Sequence, residues 1–494
     1  MFFLLFVLCH IVQIRALPIP SETHNEPTSQ LEVPAFYGVG GDANDPPIGW
    51  TSSPDGRGTV DIIWTCLLTV FLCGWTTICA NVPPMGSGRL KQFERKFLVF
   101  LEAMAGPEFI FHTALGQLIE ARRSVKEFED AGLTGWTVKH GFFAAMGGYV
   151  LQPPDFVPFP LDLKQVYYLV THGYVDYADV LLMPSEIDDK NKFDGMTRLM
   201  TALQLSWFVI NALARVAQGM AITTLELSTL GFVFCSLCTY FVWRSKPQDV
   251  TVPVILVPRA TMAEILVRAG PVAATPYCYT PMDFASAKRH WFNVIWHYCF
   301  KVVAGGLGIH FHPRRRPIDK IWDDCFPEVG FWGNAVLACV QLGFAGIHIA
   351  AWNFHFPTSQ EAMLWRISSL YIIWSMLMTW LMLAWSFQLH PWVQQRWDSF
   401  VLKGTSSPSL EPKEITIAAK RTGLRRLKER LCNNPTGYPM NQQIPLMTVL
   451  TVPLGSLYIV ARLYIILEDV INLRSLPTSA YKAIDWNVFL PHIS

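Results

Sequence analysis

Charge is what this sequence has little of. Only 16% of its 494 residues are Asp, Glu, Lys or Arg, against 51% apolar, and the formal net charge is +1. Nothing in that balance points to nucleic acid or to an acidic partner. A disulfide framework is also missing: the eleven cysteines lie mostly in apolar segments or basic loops, and none falls between Leu17 and Asp61. The Cys235-x-x-Cys238 pair sits mid-segment and reads as two small apolar residues in a helix. No Ser-His-Asp order, His-Glu-x-x-His or haem motif occurs, and Gly305-Gly306-Leu307-Gly308 lacks the Lys-Ser/Thr of a phosphate loop. There is no internal repeat of the kind that transporters are commonly built from. Neither a cofactor nor a metal is expected.

Long apolar runs are what the sequence does have. Thr201–Ala221 and Ile222–Trp243 meet with almost no polar linker. Each is about 20 residues long, enough to cross the ~30 Å hydrocarbon core as a helix. Together they predict a transmembrane hairpin. Asp61–Val82, Phe331–Trp352, Ser368–Phe387 and Ile444–Leu467 are the other predicted spans. Phe97–Leu118 is apolar but holds Glu102, Pro107 and Glu108, so it is expected to lie on the membrane or against the bundle. Met1–Val12, ending near Ala16, reads as a signal peptide of residues 1–16, followed by a Pro- and Gly-rich lumenal segment 17–60.

Orientation follows from Lys and Arg. Segments 83–200, 244–330 and 388–443 hold 12, 11 and 9, whereas 1–60, the hairpin turn, 353–365 and 468–494 hold 2, 0, 0 and 2. The basic segments belong in the cytosol and both termini outside. The expected architecture is an all-α membrane protein of about six transmembrane helices with large cytosolic loops. Its one certain partner on this reading is the lipid bilayer, in the endomembrane system or plasma membrane, and the run Lys420–Arg430 suits anionic lipid.

Ionisable residues inside apolar spans are costly and mark either function or structural pairing. Gln204, Asn211, Arg215 and Gln218 share one helical face, and Arg215 and Glu226 lie at matched distances from the hairpin turn, so the two are expected to pair. Arg215, Glu226, Asp61 and His348 are the candidate catalytic residues, all on the lumenal half, with Arg57, Arg366 and Arg462 nearby. Polar glue between helices is the equal alternative, and for Asp61 a helix cap. Asp323-Asp324-Cys325-Phe326-Pro327-Glu328 has the form of an acidic metal–diphosphate motif with Arg314–Arg316 beside it, yet it is short, and a solvated loop explains it. His310 and His312 lack a third ligand.

Several phrases carry a family resemblance: Gly49-Trp50-Thr51-Ser52 with Arg57-Gly58-Thr59-Val60-Asp61, His140-Gly141-Phe142-Phe143, Ile222-Thr223-Thr224-Leu225-Glu226, Trp243-Arg244-Ser245-Lys246-Pro247-Gln248-Asp249, Ala351-Trp352-Asn353-Phe354-His355-Phe356-Pro357 and Leu476-Pro477. The chain resembles a family of multi-pass membrane proteins of filamentous fungi, departing from it at Arg244 and at Cys79-Ala80. Some relatives look linked to secondary metabolism. The resemblance implies a membrane-embedded enzyme acting on a lipophilic intermediate such as a terpenoid, and paired acid and cation groups in an apolar cavity suit a cyclase or transferase. A non-enzymatic transporter, receptor or scaffold is the alternative.

Overall fold

The computed structural model describes residues 45–53, 56–190, 195–274, 276–277, 279–286, 316–323, 326–385 and 450–489. The apolar start Met1–Val12, the His310/His312 pair, Arg314, Arg315, Asp324 and the run Lys420–Arg430 lie outside the described residues. The chain is mostly helical. Its helices are α1 (Thr59–Thr77), α2 (Arg89–Ala105), α3 (Pro107–Asp130), α4 (Val138–Ala145), α5 (Leu163–Thr171), α6 (Gly195–Ala217), α7 (Thr224–Val242), α8 (Met262–Ala269), α9 (Gly330–Ala350), α10 (Ser359–Ala384) and α11 (Thr451–Ile471), with shorter turns between them.

Five of these, α1, α6, α7, α9 and α10, are long and apolar enough to cross a membrane. α11 has the length, but Arg462, Glu468 and Asp469 make it more polar. The bundle is centred on α7, 78% of whose apolar stretch is buried, against 33–39% for the other four. Close approach to α9 comes from two reciprocal glycine–phenylalanine contacts. A Cβ at Gly231 would stand 3.2 Å from Phe344, and one at Gly343 would stand 3.1 Å from Phe234. In lipid, where apolar surface gains little by leaving the solvent, such tight contacts and interhelical hydrogen bonds hold helices together. The outer faces remain apolar, with Trp64, Leu67 and Phe71 on α1 and Leu457, Val460 and Leu463 on α11 exposed.

One end of the bundle gathers both ends of the described chain. β1 (Pro47–Ile48) pairs antiparallel with β5 (Leu476–Pro477). Asp45 accepts hydrogen bonds from the Ser479 N–H at 3.1 Å and from the Thr478 hydroxyl. Helices α1, α7 and α10 start at this end, and α6, α9 and α11 finish there. Local chemistry sets the starts. At α7 the Thr223 hydroxyl accepts the Glu226 N–H at 3.2 Å while the Glu226 carboxylate accepts the Thr223 N–H at 3.0 Å. This reciprocal box satisfies backbone donors that the first turn leaves free.

The opposite end carries a globular body, where the expectation of an all-α chain fails. β2 (Tyr149–Leu151) pairs antiparallel with β3 (Phe159–Pro160) and parallel with β4 (Val254–Leu256). Residues far apart in sequence share this core, so no local pattern announced it. His140 serves it structurally: its Nδ1 accepts the Thr137 N–H at 3.2 Å, and Nε2–H donates to the Leu182 carbonyl at 2.7 Å. α2 and α3 form a hairpin bent by 112° at Gly106. Arg95 of α2 pairs with Asp323 at 2.7 Å, and Phe128 near the far end of α3 stacks on Trp136 at 4.2 Å. Both outer ends thus belong to the globular side, and the bend pushes into the bundle and returns.

The Trp243–Asp249 turn locks α1 to α7. Gln248 donates to the Thr76 and Ile78 carbonyls at 3.1 and 2.9 Å, and Lys246 donates to the Cys79 carbonyl at 2.6 Å. These carbonyls terminate α1, where unpaired acceptors and the negative end of the helix dipole favour a cation. Lys246→Met leaves such an acceptor buried without a donor and should cost about 1–3 kcal/mol, read as a lower unfolding temperature in detergent. Burial holds the Lys246 amine down at about 8, below its ordinary 10.5. Folding therefore disfavours its protonated form, a penalty complete below about 8 and relieved as pH rises toward 10.5. The wild type should gain stability relative to Lys246→Met across that window, and a flat difference in unfolding temperature would contradict the assignment.

Candidate functional site

Two of the four sequence candidates have structural duties. Asp61 is exposed and caps α1, accepting the Gly58 N–H at 2.9 Å and the Ser53 hydroxyl at 2.6 Å. Arg215 is 3% exposed and donates to backbone carbonyls only: Ser479 at 3.0 Å, Ala480 at 2.8 Å, Lys482 at 2.9 Å and Ala221 at 3.2 Å. It clamps the tail onto the α6–α7 turn. The expected Arg215–Glu226 pair is corrected accordingly. Glu226 is salt-bridged to Arg57, and among the described residues no ion pair joins it to Arg215. Residues before α1 reach the Glu226 carboxylate first because β1 anchors them at this end.

His348, the fourth candidate, lies in a row of buried ionisable groups. Its Nδ1 sits 3.1 Å from the Phe344 carbonyl and its Nε2 3.1 Å from Arg462 Nη1. A carbonyl only accepts and a guanidinium only donates, which sets the tautomer with hydrogen on Nδ1. The Arg462 guanidinium lies over the Phe344 and Phe232 rings at 4.7 and 5.7 Å. Its Nε and Nη2, the side-on fork that binds a planar acceptor twice, have no hydrogen-bond partner. On one side stands Glu108, fully buried at the tip of the α2–α3 hairpin; Tyr458 donates to its Oε1, while Oε2 is unpartnered. On the other side Asp469 is 3% exposed with Oδ1 unpartnered. Arg462 thus sits within electrostatic reach of two carboxyl groups and is bonded to neither.

Buried orphan groups are rare in folded proteins and call for water, an ion or a ligand. Next to this row, a narrow cleft opens between α1, the hairpin bend and α7, lined by Cys73, Thr77, Pro107, Phe232 and Ser236. Phe232 borders both the cleft and Arg462. The arrangement can exchange protons and stabilise negative charge developing against Arg462, and the cleft beside it, at about 10 Å³, has the size of one water molecule.

Sequence reading names His348 and Arg462 from this row but does not place Glu108, Tyr458 or Asp469 in a site. Tyr458, Arg462, Ile465 and Asp469 recur at spacings of four and three, one helical face, and that signal was available. It was cut because the span was expected to stop at Leu467, whereas α11 runs to Ile471. Glu108 was visible as a charge within an apolar stretch, but only the bend at Gly106 carries it inward. Asp323 proves to be a tether, accepting from Asn81 N–H at 2.6 Å and pairing with Arg95. Among the described residues no cluster of three His, Cys, Asp or Glu side chains suits a metal.

The model of DUF8562, a family of unknown function, matches residues 35–269 and 333–493. The chain belongs to that family. No curated protein and no solved structure matches it significantly. The buried row of this DUF8562 chain draws on both matched blocks, Glu108 from the first and His348, Tyr458, Arg462 and Asp469 from the second.

Breaking the Arg57–Glu226 pair leaves a charge without its counter-ion in a poor solvent. Arg57→Gln and Glu226→Gln should each lower stability by about 3–5 kcal/mol, and the double change should recover much of the loss. Arg215→Gln combined with Glu226→Gln should show no such recovery. A cycle of four unfolding temperatures in detergent measures this; coupling to Arg215 in place of Arg57 would refute the pairing.

Proposed function

We propose that this protein is an integral membrane protein crossing the bilayer six times, through α1, α6, α7, α9, α10 and α11, with both termini lumenal or extracellular. The reading rests on apolar helices of spanning length, on the Lys and Arg asymmetry of the loops, and on the gathering of both chain ends at one end of the bundle. An acceptor sequon placed just before Asp45 should then be glycosylated in microsomes, and one placed near Ser406 should not. Glycan on the 388–443 segment would overturn this topology.

Within the bilayer, the Glu108–Tyr458–Arg462–His348 row forms an acid–base site for a lipophilic molecule, which the narrow cleft beside it must widen to admit. The observation carrying this reading is that Glu108 Oε2 and the fork of Arg462, within electrostatic reach of each other, are both unpartnered among the described residues. Glu108 donates or accepts the proton, Tyr458 holds it in place, and Arg462, oriented by His348, steadies negative charge as it develops. A cyclisation or group transfer on a secondary-metabolite intermediate such as a terpenoid fits that equipment, in keeping with the fungal resemblance of the sequence. A second reading is transport, and what favours it is the broken hairpin at Gly106 reaching the bundle interior, a device of transporter sites.

Metabolite profiles of a strain lacking the gene separate the two. An enzyme predicts loss of a product inside and outside the cell with build-up of its precursor; a transporter predicts retention of the product inside. Glu108→Gln should abolish product at normal protein abundance, and Tyr458→Phe should lower it at least tenfold. Wild-type product from Glu108→Gln would remove the site.

A further inference from the structure

The unpartnered oxygens at the end of α11, beyond Arg462 from Glu108, are not used by the chemistry above. Asp469 and Asn472 stand three residues apart on the last turn of α11 and just past it; Thr224 and Ser228 stand four apart on the first turns of α7. All four are at least 95% buried. The two helices meet here, with Asn472 Nδ2 donating to the Thr224 hydroxyl at 3.3 Å. Asp469 faces the Thr224 and Ser228 hydroxyls. Even so, among the described residues Asp469 Oδ1, Asn472 Oδ1 and Ser228 Oγ make no hydrogen bond of ordinary length and angle.

Three buried oxygens from facing helices, one of them a carboxylate oxygen and all with lone pairs to spare, are the kind of ligand a small hard cation takes. We propose that Asp469, Asn472, Thr224 and Ser228 form a binding site for a monovalent metal cation, sodium in the first instance. The ligand set is all oxygen with a single carboxylate, which suits one positive charge; calcium ordinarily draws on six to eight oxygens and more than one carboxylate. The C-terminal end of α11 adds the negative end of its dipole, as half-helix C-termini do at sodium sites of transporters. The opposing positive end of α7 is already countered by Glu226 in its capping box. Of the other charged groups close by, Glu226 is engaged by Arg57, Tyr464 donates to Glu468 at 3.3 Å, and Arg462 donates to His348. None of them supplies the missing partner of Asp469 Oδ1.

The test is thermal unfolding of the full-length protein in detergent, titrated with sodium chloride against choline chloride at fixed pH and ionic strength. A ligand that binds only the folded state raises the midpoint with its concentration. Sodium should raise the unfolding temperature by at least about 2 °C at tenfold above half-saturation, with choline inert. Asp469→Asn should remove the sodium response, and Glu361→Gln, which touches a surface pair with Arg474, should keep it. If Asp469→Asn does not fold, Ser228→Ala should weaken the half-saturating concentration at least fivefold. Equal response to choline, a response to pH with none to sodium, or an unchanged sodium response in Asp469→Asn or Ser228→Ala would each overturn the site. None of these readouts depends on a substrate, so the acid–base reading stands or falls separately.

Discussion

A guanidinium deprived of water must find acceptors for its N–H groups, and at Arg215 the chain supplies them from its own backbone. Four carbonyls, from Ala221, Ser479, Ala480 and Lys482, converge on one side chain. The rest of that bundle end follows from this demand. The tail is held down over the α6–α7 turn, β5 is placed for β1, and the segment preceding α1 is brought to where Arg57 meets Glu226. Desolvation of buried charge, more than apolar burial, organises this end, because the outer faces of the helices stay apolar and exposed.

The same demand is met incompletely further in. Arg57 and Glu226 neutralise each other, and Lys246 and Gln248 close the end of α1. Arg462, Glu108 and Asp469 keep unused hydrogen-bonding atoms despite burial. A bundle that satisfies Arg215 from four carbonyls and leaves Arg462 Nε and Nη2 unpartnered among the described residues divides into a part whose hydrogen bonds are closed and a part where they are left open. α7 joins the two. It is the most enclosed helix, it carries Glu226 at one end and Ser236 beside the cleft, and its glycine–phenylalanine contacts with α9 fix the position of Phe344 under Arg462.

Apolar runs of spanning length, the uneven placement of Lys and Arg, and the helix-start chemistry at Asp61 were legible from the residues alone. These are local properties: a helix needs about 20 apolar residues in succession, and a cap needs its partners within one turn. The choice of partner for each buried charge was not legible. Equal distance from a turn made Arg215 and Glu226 look paired, but pairing depends on which chain segment is anchored nearby, and that was decided by β1 and β5 across more than 400 residues. Likewise the bend at Gly106 turned an apolar stretch with two glutamates into a hairpin that delivers Glu108 to Tyr458 and Arg462, and the sheet joining residues near 150 to those near 255 made a globular body out of apparent loops. Composition and period determine which segments leave water. Only the tertiary structure decides which polar groups then meet, because a charge without solvent takes its partner from whatever the packing brings within a few ångströms.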